Sequence, residues 1–380
     1  MKKKVMIVTG EASGDLHGSN LIKAVHDISP DISFYGIGGP LIRETGAEIL
    51  IESQELAVVG ISEVIPSVGK IFAALNLLKK RIKQDRPSLL VCIDLPDFNL
   101  MVAKFAKKMN LPVLYYISPQ VWAWRKGRIK KIARLVDKMA VVFPFEAPLY
   151  ENAGLDVRFV GHPLIDAVNP DRSLPDIKKD LGIDDEKKVI GLLPGSRLKE
   201  VKSLLPIMLE AAEIMASRSP EFQFILPMAH TIDKSLIDGF VNSYNAQVTV
   251  VEDMTYEVMK GCDLLFAASG TATLEAAIIG TPMVVLYKLS PFSYGLAKYL
   301  SDMEYISLPN IVAGRKIVDE LIQDDADPAR LVEEAFKLLF GSGFSDQMRQ
   351  DLKNVREKLG GAGASARTAR LLVEMLSQGE

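Results

Sequence analysis

Cysteine is almost missing from this chain. Cys92 and Cys262 are the only two in 380 residues, and both sit inside apolar runs. That excludes a disulfide framework and a cysteine-rich zinc site, and it points to a reducing compartment. Histidine is as scarce. His17, His26, His162 and His230 form no H-x-x-x-H pair, and no D-x-D stands at a strand end to hold a divalent ion. Neither a metal nor a cofactor is expected. Charge of one sign is not in excess either: 45 basic and 48 acidic residues leave a formal net charge of −3. Bulk nucleic-acid binding needs a basic surplus, so no nucleic-acid partner is expected. No uninterrupted apolar run approaches the ~20 residues of a membrane span. Met1-Lys2-Lys3-Lys4 imitates the start of a signal peptide, but Glu11 and Asp15 interrupt the following stretch too early. A cytoplasmic protein that at most touches a membrane is expected. There is no G-x-x-x-x-G-K-[ST] loop for ATP and no G-x-G-x-x-G turn for a dinucleotide.

What is present reads as α/β. Hydrophobic residues make up 48% and charged residues 24%, which are globular values. At ~150 residues per domain the length suits two or three domains. Short apolar runs at 5–9, 89–93, 113–117 and 139–143 alternate with charged, helix-period segments. Strands alternating with helices imply a parallel sheet covered on both faces. Between 161 and 188 the texture turns to Pro, Asn, Asp, Ser and Lys, a linker composition. The pattern then restarts, with runs at 189–193, 222–226, 248–251, 263–267 and 283–287. Two Rossmann-like units follow, 1–165 and 166–345. A helical segment of about 345–380, broken by Gly360-Gly361-Ala362-Gly363, suits a return to the first unit.

Four turns carry candidate chemistry. The first runs from Gly10 to Gly18 and holds Glu11, Ser13 and Asp15. Carboxylates repel a pyrophosphate, so a hydroxylated ligand such as a sugar suits it better; a plain turn with a capping Ser or Asp is the alternative. The second, Pro194-Gly195-Ser196-Arg197, has the opposite chemistry. Helix-start amides and a guanidinium suit an anion, plausibly a diphosphate; a turn with a surface arginine is the alternative. The third is Ser269-Gly270-Thr271, whose small residues expose amides to phosphate, with Glu275 placed to accept from ribose hydroxyls. Glu275 could equally be a carboxylate near a helix start. Asn310 is a weaker candidate, since loop asparagines are often turn residues. The fourth, Ile93-Asp94-Leu95-Pro96-Asp97, puts two carboxylates after a buried strand. One could serve as general base. Asp94 ranks above Asp97, which could simply cap the next helix.

Two segments look interfacial. Residues 64–85 carry Val68, Phe72 and Leu75 among other apolar residues, then Lys79, Lys80, Arg81 and Lys83. They suit a lipid interface or acyl chains, or else a buried helix. Trp122 and Trp124, the chain's two tryptophans, precede Arg125 and five further basic residues up to position 134. Tryptophan beside clustered cations suits anionic headgroups; a solvated helix face is the alternative.

Together the segments GEASGD (10–15), ELAVVGISEV (55–64), IDLPDFN (93–99), SPQVWAWR (118–125), FVGHPL (159–164), LLPGSR (192–197), ASGTATLEA (268–276) and SLPN (307–310) resemble the lipid-A-disaccharide synthase family of Gram-negative bacteria. The resemblance implies a GT-B architecture, two Rossmann-like domains with an interdomain cleft. It implies UDP-2,3-diacylglucosamine as donor and 2,3-diacylglucosamine 1-phosphate, lipid X, as acceptor. The products would be UDP and the β(1→6) disaccharide 1-phosphate, made at the cytoplasmic face of the inner membrane. It also implies Asp94 as base, Glu11 on the acceptor side, and Arg197, Glu275 and Asn310 around UDP. Leu95 departs from the pattern, since relatives often carry alanine there. The rival readings are a UDP-sugar 2-epimerase of similar architecture and a non-catalytic membrane-surface UDP-sugar binder. Oligomeric state is not legible.

Overall fold

A computed structural model describes residues 3–10, 12–57, 64–124, 126–168, 172–290, 294 and 304–378. The ELAVVGISEV segment falls largely outside them, as do Glu11 and Arg125 and the side chains of Val68 and Trp124. The chain divides into two compact units. The first comprises Met1–Asp166 with Leu359–Glu380, the second Ala167–Lys358.

In the first unit, β1 (Lys4–Val8), β2 (Ser33–Gly38), β3 (Glu48–Glu52), β4 (Leu89–Ile93), β5 (Val113–Tyr116), β6 (Lys138–Val141) and β7 (Asp156–Phe159) form one sheet. Its order is β3-β2-β1-β4-β5-β6-β7, and every pairing is parallel. β1 and β4 are apolar without alternation because helices cover both faces. Val5 and Val8 of β1 pair with Leu89 and Cys92 of β4. The helix Ala364–Ser377 packs on the helix Ala12–Ile28, and Lys138 reaches Glu374 at 2.7 Å. The preceding helix, Phe344–Lys358, belongs to the second unit, so only the segment from Leu359 returns.

In the second unit, β8 (Lys188–Leu193), β9 (Phe222–Met228), β10 (Val248–Glu252), β11 (Leu264–Ala268), β12 (Met283–Tyr287) and β13 (Asp319–Ile322) form a parallel sheet of order β10-β9-β8-β11-β12-β13. Each sheet reverses its direction of growth at one place, between β1 and β4 in the first and between β8 and β11 in the second. Ligands of open α/β sheets bind beyond the strand C-termini at such reversals. All four candidate turns leave these four strands.

Candidate active site

At the first reversal, β4 ends in Asp94 and Leu95, both with left-handed backbone (φ 54° and 41°). Asn99 donates its Nδ2 to the carbonyls of Ile93 (3.1 Å) and Asp94 (2.6 Å). The Tyr115 hydroxyl donates to the same Asp94 carbonyl at 2.8 Å. The Asp94 carboxylate lies against the first turn of the helix Ala12–Ile28. A Cβ at Gly14 would stand 2.6 Å from its Oδ2, so the sequence needs glycine there. Ser13 is exposed on the same turn.

Asp15 does something else. It is buried, and its carboxylate accepts from the amides of Gly39 (2.7 Å), Leu41 (2.9 Å) and Ile42 (3.2 Å). These are the orphan donors at the start of the helix Pro40–Glu44. Asp15 therefore serves the scaffold, holding the start of that helix through its carboxylate. Asp97 sits at the start of the helix Pro96–Lys108, largely exposed and paired with Arg128 at 2.6 Å.

Two histidines that the sequence did not single out stand in this unit. Burial lowers His17 to about 4, and burial with the nearby His17 lowers His162 to about 3. His162 accepts from the Leu164 amide through Nδ1 (3.2 Å), so its proton is on Nε2. The His162 ring stands 4.9 Å from Phe143. Trp122 joins the same aromatic group, edge-on to Phe143 and Phe145. Its indole N–H donates to Glu146 at 3.1 Å, and burial raises that carboxyl to about 7. Trp122 thus packs half-buried against the end of the sheet.

The helix Val64–Asp85 divides its faces. Leu75 is buried in the core with Ala74, Leu78 and Ile82, so its expected lipid contact is corrected. Phe72 is 55% exposed, and Leu77 is also exposed on this helix.

At the second reversal, Gly195 adopts φ 101°, and the Glu200 carboxylate lies where its Cβ would be. Glu200 accepts from Arg197 Nη1 at 3.0 Å and from the Arg197 amide at 3.4 Å. The Arg197 side chain is 80% exposed. The Arg197 guanidinium is thus exposed and paired with a carboxylate three residues on. Ser196 offers its carbonyl to Thr231 at 2.8 Å. After β11, Ser269 donates through Oγ to the Ile306 carbonyl (3.2 Å), while Gly270 and Thr271 are exposed at the start of the helix Thr271–Ile279. Glu275 accepts from the Tyr256 hydroxyl at 3.1 Å, and burial raises its carboxyl above the usual range.

Asn310 is fully buried and fully used. Its Nδ2 donates to the Val318 carbonyl (3.0 Å) and Glu320 (2.8 Å), and its Oδ1 accepts from the amides of Ile317 (2.7 Å) and Val318 (2.9 Å). Glu320 also accepts from the Ser307 amide (2.9 Å) and hydroxyl (2.6 Å). In the SLPN segment the Asn310 side chain thus acts as a buried lock on the following strand. Glu320 was not legible, because its partners lie ten or more residues away. Among the described residues, no group of three or more His, Cys, Asp or Glu could hold a metal ion, and no helix is long and apolar enough to cross a membrane.

Two parallel sheets, each reversing once in strand order, make this a two-domain α/β protein of the GT-B type. The calicheamicin glycosyltransferase CalG4 shares the fold at a TM-score of 0.65 and 14% identity, with 99% of each chain covered. So does the UDP-GlcNAc 2-epimerase of Neisseria meningitidis bound to UDP-GlcNAc, at 0.62 and 13%, covering 99% of this chain and 100% of that one. The lipid-A-disaccharide synthetase family model matches residues 5–374. The lipid-A-disaccharide synthase of Geobacter metallireducens is 49% identical over 376 residues, 99% of this chain and 98% of that protein. The chain belongs to the lipid-A-disaccharide synthase family, and it is a glycosyltransferase.

Proposed function

We propose that the enzyme transfers 2,3-diacylglucosamine from UDP-2,3-diacylglucosamine to the 6-hydroxyl of lipid X in one inverting displacement. The observation that carries this reading is Asp94, a carboxylate beyond the central strand of the first sheet, in a chain of this family. The acceptor oxygen bonds to the anomeric carbon as the bond from that carbon to UDP breaks, and the leaving electron pair stays on UDP. Asp94 accepts the hydroxyl proton. Arg197 and the amides opening the helices Leu198–Arg218 and Thr271–Ile279 receive the diphosphate, and Glu275 the ribose. Glu11 contributes on the acceptor side. The exposed Phe72 and Leu77, with Lys70, Lys80 and Lys83 on the same helix, rest the enzyme on the cytoplasmic face of the inner membrane.

The test is UDP release from UDP-2,3-diacylglucosamine in detergent with EDTA. Release only when lipid X is added is the expected result. UDP binding without release would sink the transferase reading. The likeness to the Neisseria epimerase favours a second reading, C2 inversion of a UDP-sugar, and C2 inversion in the absence of lipid X would establish it.

A further inference from the structure

We propose that Asn99 and Tyr115 are positioning residues for Asp94, locking the Asp94–Leu95 backbone in its left-handed form so that the carboxylate faces the Gly14 turn. The proposal rests on the reading of Asp94 as the base. Among the described residues, Asp94 and Leu95 are the only consecutive non-glycine pair with positive φ. That conformation is disfavoured for side chains bearing a Cβ, and most of all for a bulky one such as leucine. Such outliers persist where surrounding contacts hold them, and they gather at functional sites. Here two of the contacts are specific hydrogen bonds. The Asp94 carbonyl accepts two hydrogen bonds, from Asn99 and from Tyr115, and Asn99 also takes the Ile93 carbonyl. Both side chains are fully buried, one on the helix that follows and one on the adjacent strand β5.

A turn built only for stability has a simpler solution, because glycine adopts this backbone without penalty. Instead the chain keeps two residues with Cβ and recruits two buried polar side chains to hold them. The glycines opposite complete the arrangement. Gly14 leaves room for the Asp94 carboxylate and Gly10 for the Leu95 side chain, each at under 3 Å from where a Cβ would be. Release of the Asp94 carbonyl frees the turn to relax, and the carboxylate leaves the N-terminal end of the helix Ala12–Ile28.

The decisive variant is Tyr115→Phe, which keeps the buried ring and removes one hydroxyl. It is assayed as full-length enzyme in detergent, beside Asn99→Ala and Asp94→Asn, with UDP affinity measured for each. For Tyr115→Phe the expected result is a kcat lowered about 10- to 100-fold, with KM for both sugars and UDP affinity within twofold of wild type. Asn99→Ala should lose more in the same pattern; if it does not fold, Tyr115→Phe decides alone. A Tyr115→Phe kcat within twofold of wild type overturns the proposal, as does a kcat loss matched by an equal loss of UDP affinity. The two readings fail separately. An active Asp94→Asn enzyme removes the base, whereas an inactive Asp94→Asn beside an unimpaired Tyr115→Phe removes only the positioning.

Discussion

The two sheet reversals treat their polar side chains in opposite ways. In the first unit the carboxylate of interest is embedded. Asp94 is clamped through its own carbonyl by two fully buried side chains and seated against a glycine. In the second unit the guanidinium of interest is 80% exposed and held by a single carboxylate, Glu200. The difference matches two kinds of chemistry. Proton transfer tolerates little error in placement, so a base belongs on a rigid mount. A diphosphate is a large anion gripped by amides and a flexible cation, so its site can be open before the ligand arrives. Each unit also spends one motif residue on its frame: Asp15 in the first, Asn310 in the second.

The largest effect expected from breaking this contrast is at Asn310. Asn310→Ala would orphan the buried amides of Ile317 and Val318 and one donor contact to Glu320. Unsatisfied buried groups cost about 1–3 kcal/mol each, so the second unit should lose roughly 3 kcal/mol or more. Urea unfolding should show an earlier transition for that unit and an unchanged one for the first. Unaltered stability with a loss of UDP affinity would return Asn310 to the ligand.

A second experiment bears on the embedded side. Glu146 is buried, and its carboxyl is raised to about 7 against about 4.5 in the unfolded chain. Between those values the folded state binds the extra proton, so this group makes stability fall as pH rises from 4.5 to 7. His17 and His162 act in the opposite direction. They stay neutral in the fold down to about 4 and about 3, while the unfolded chain protonates them near 6.5. Stability from them rises with pH between about 4 and 6.5. The two slopes partly cancel in the native enzyme. Glu146→Gln should unmask the histidine slope and gain about 3 kcal/mol at pH 8 relative to pH 4.5, compared with wild type. Parallel stability curves for the two proteins would show that Glu146 does not titrate in this range.

Much of this was legible from the chain, and the misses share a cause. The doubled strand–helix alternation gave two parallel sheets, and the glycine-bearing turns fell at both reversals because short apolar runs and small residues are local signals. Residue type also distinguished carboxylate-bearing turns in the first unit from turns suited to an anion in the second. What was not legible is where a polar side chain points. Asp15 and Asn310 stand in motifs with the composition of a site, yet their partners are backbone groups that the sequence does not place nearby. Glu200 and Tyr115 act through the same kind of contact and drew no notice: one resembled a helix-start acid, the other a strand residue. Leu75 and Phe72 lie three apart on one helix, near the edge of its apolar stripe, where periodicity does not decide which is covered.

The smallest of the expected effects tests the open side. Arg197→Ala removes an exposed side chain, and stability should stay within about 0.5 kcal/mol of wild type. UDP affinity should fall, but only about tenfold, or ~1.4 kcal/mol. A charge-assisted contact to phosphate would be worth more in isolation. Here Arg197 must first give up its 3.0 Å bond to Glu200, and that exchange offsets part of the gain. The carboxylate it leaves behind then faces the incoming diphosphate. Adding Glu200→Gln to Arg197→Ala should therefore recover some affinity, because it removes that repulsion. Calorimetric titration with UDP measures both steps. No change in the first variant would remove the diphosphate from this turn. No recovery in the second would mean that Glu200 serves only to cap its helix.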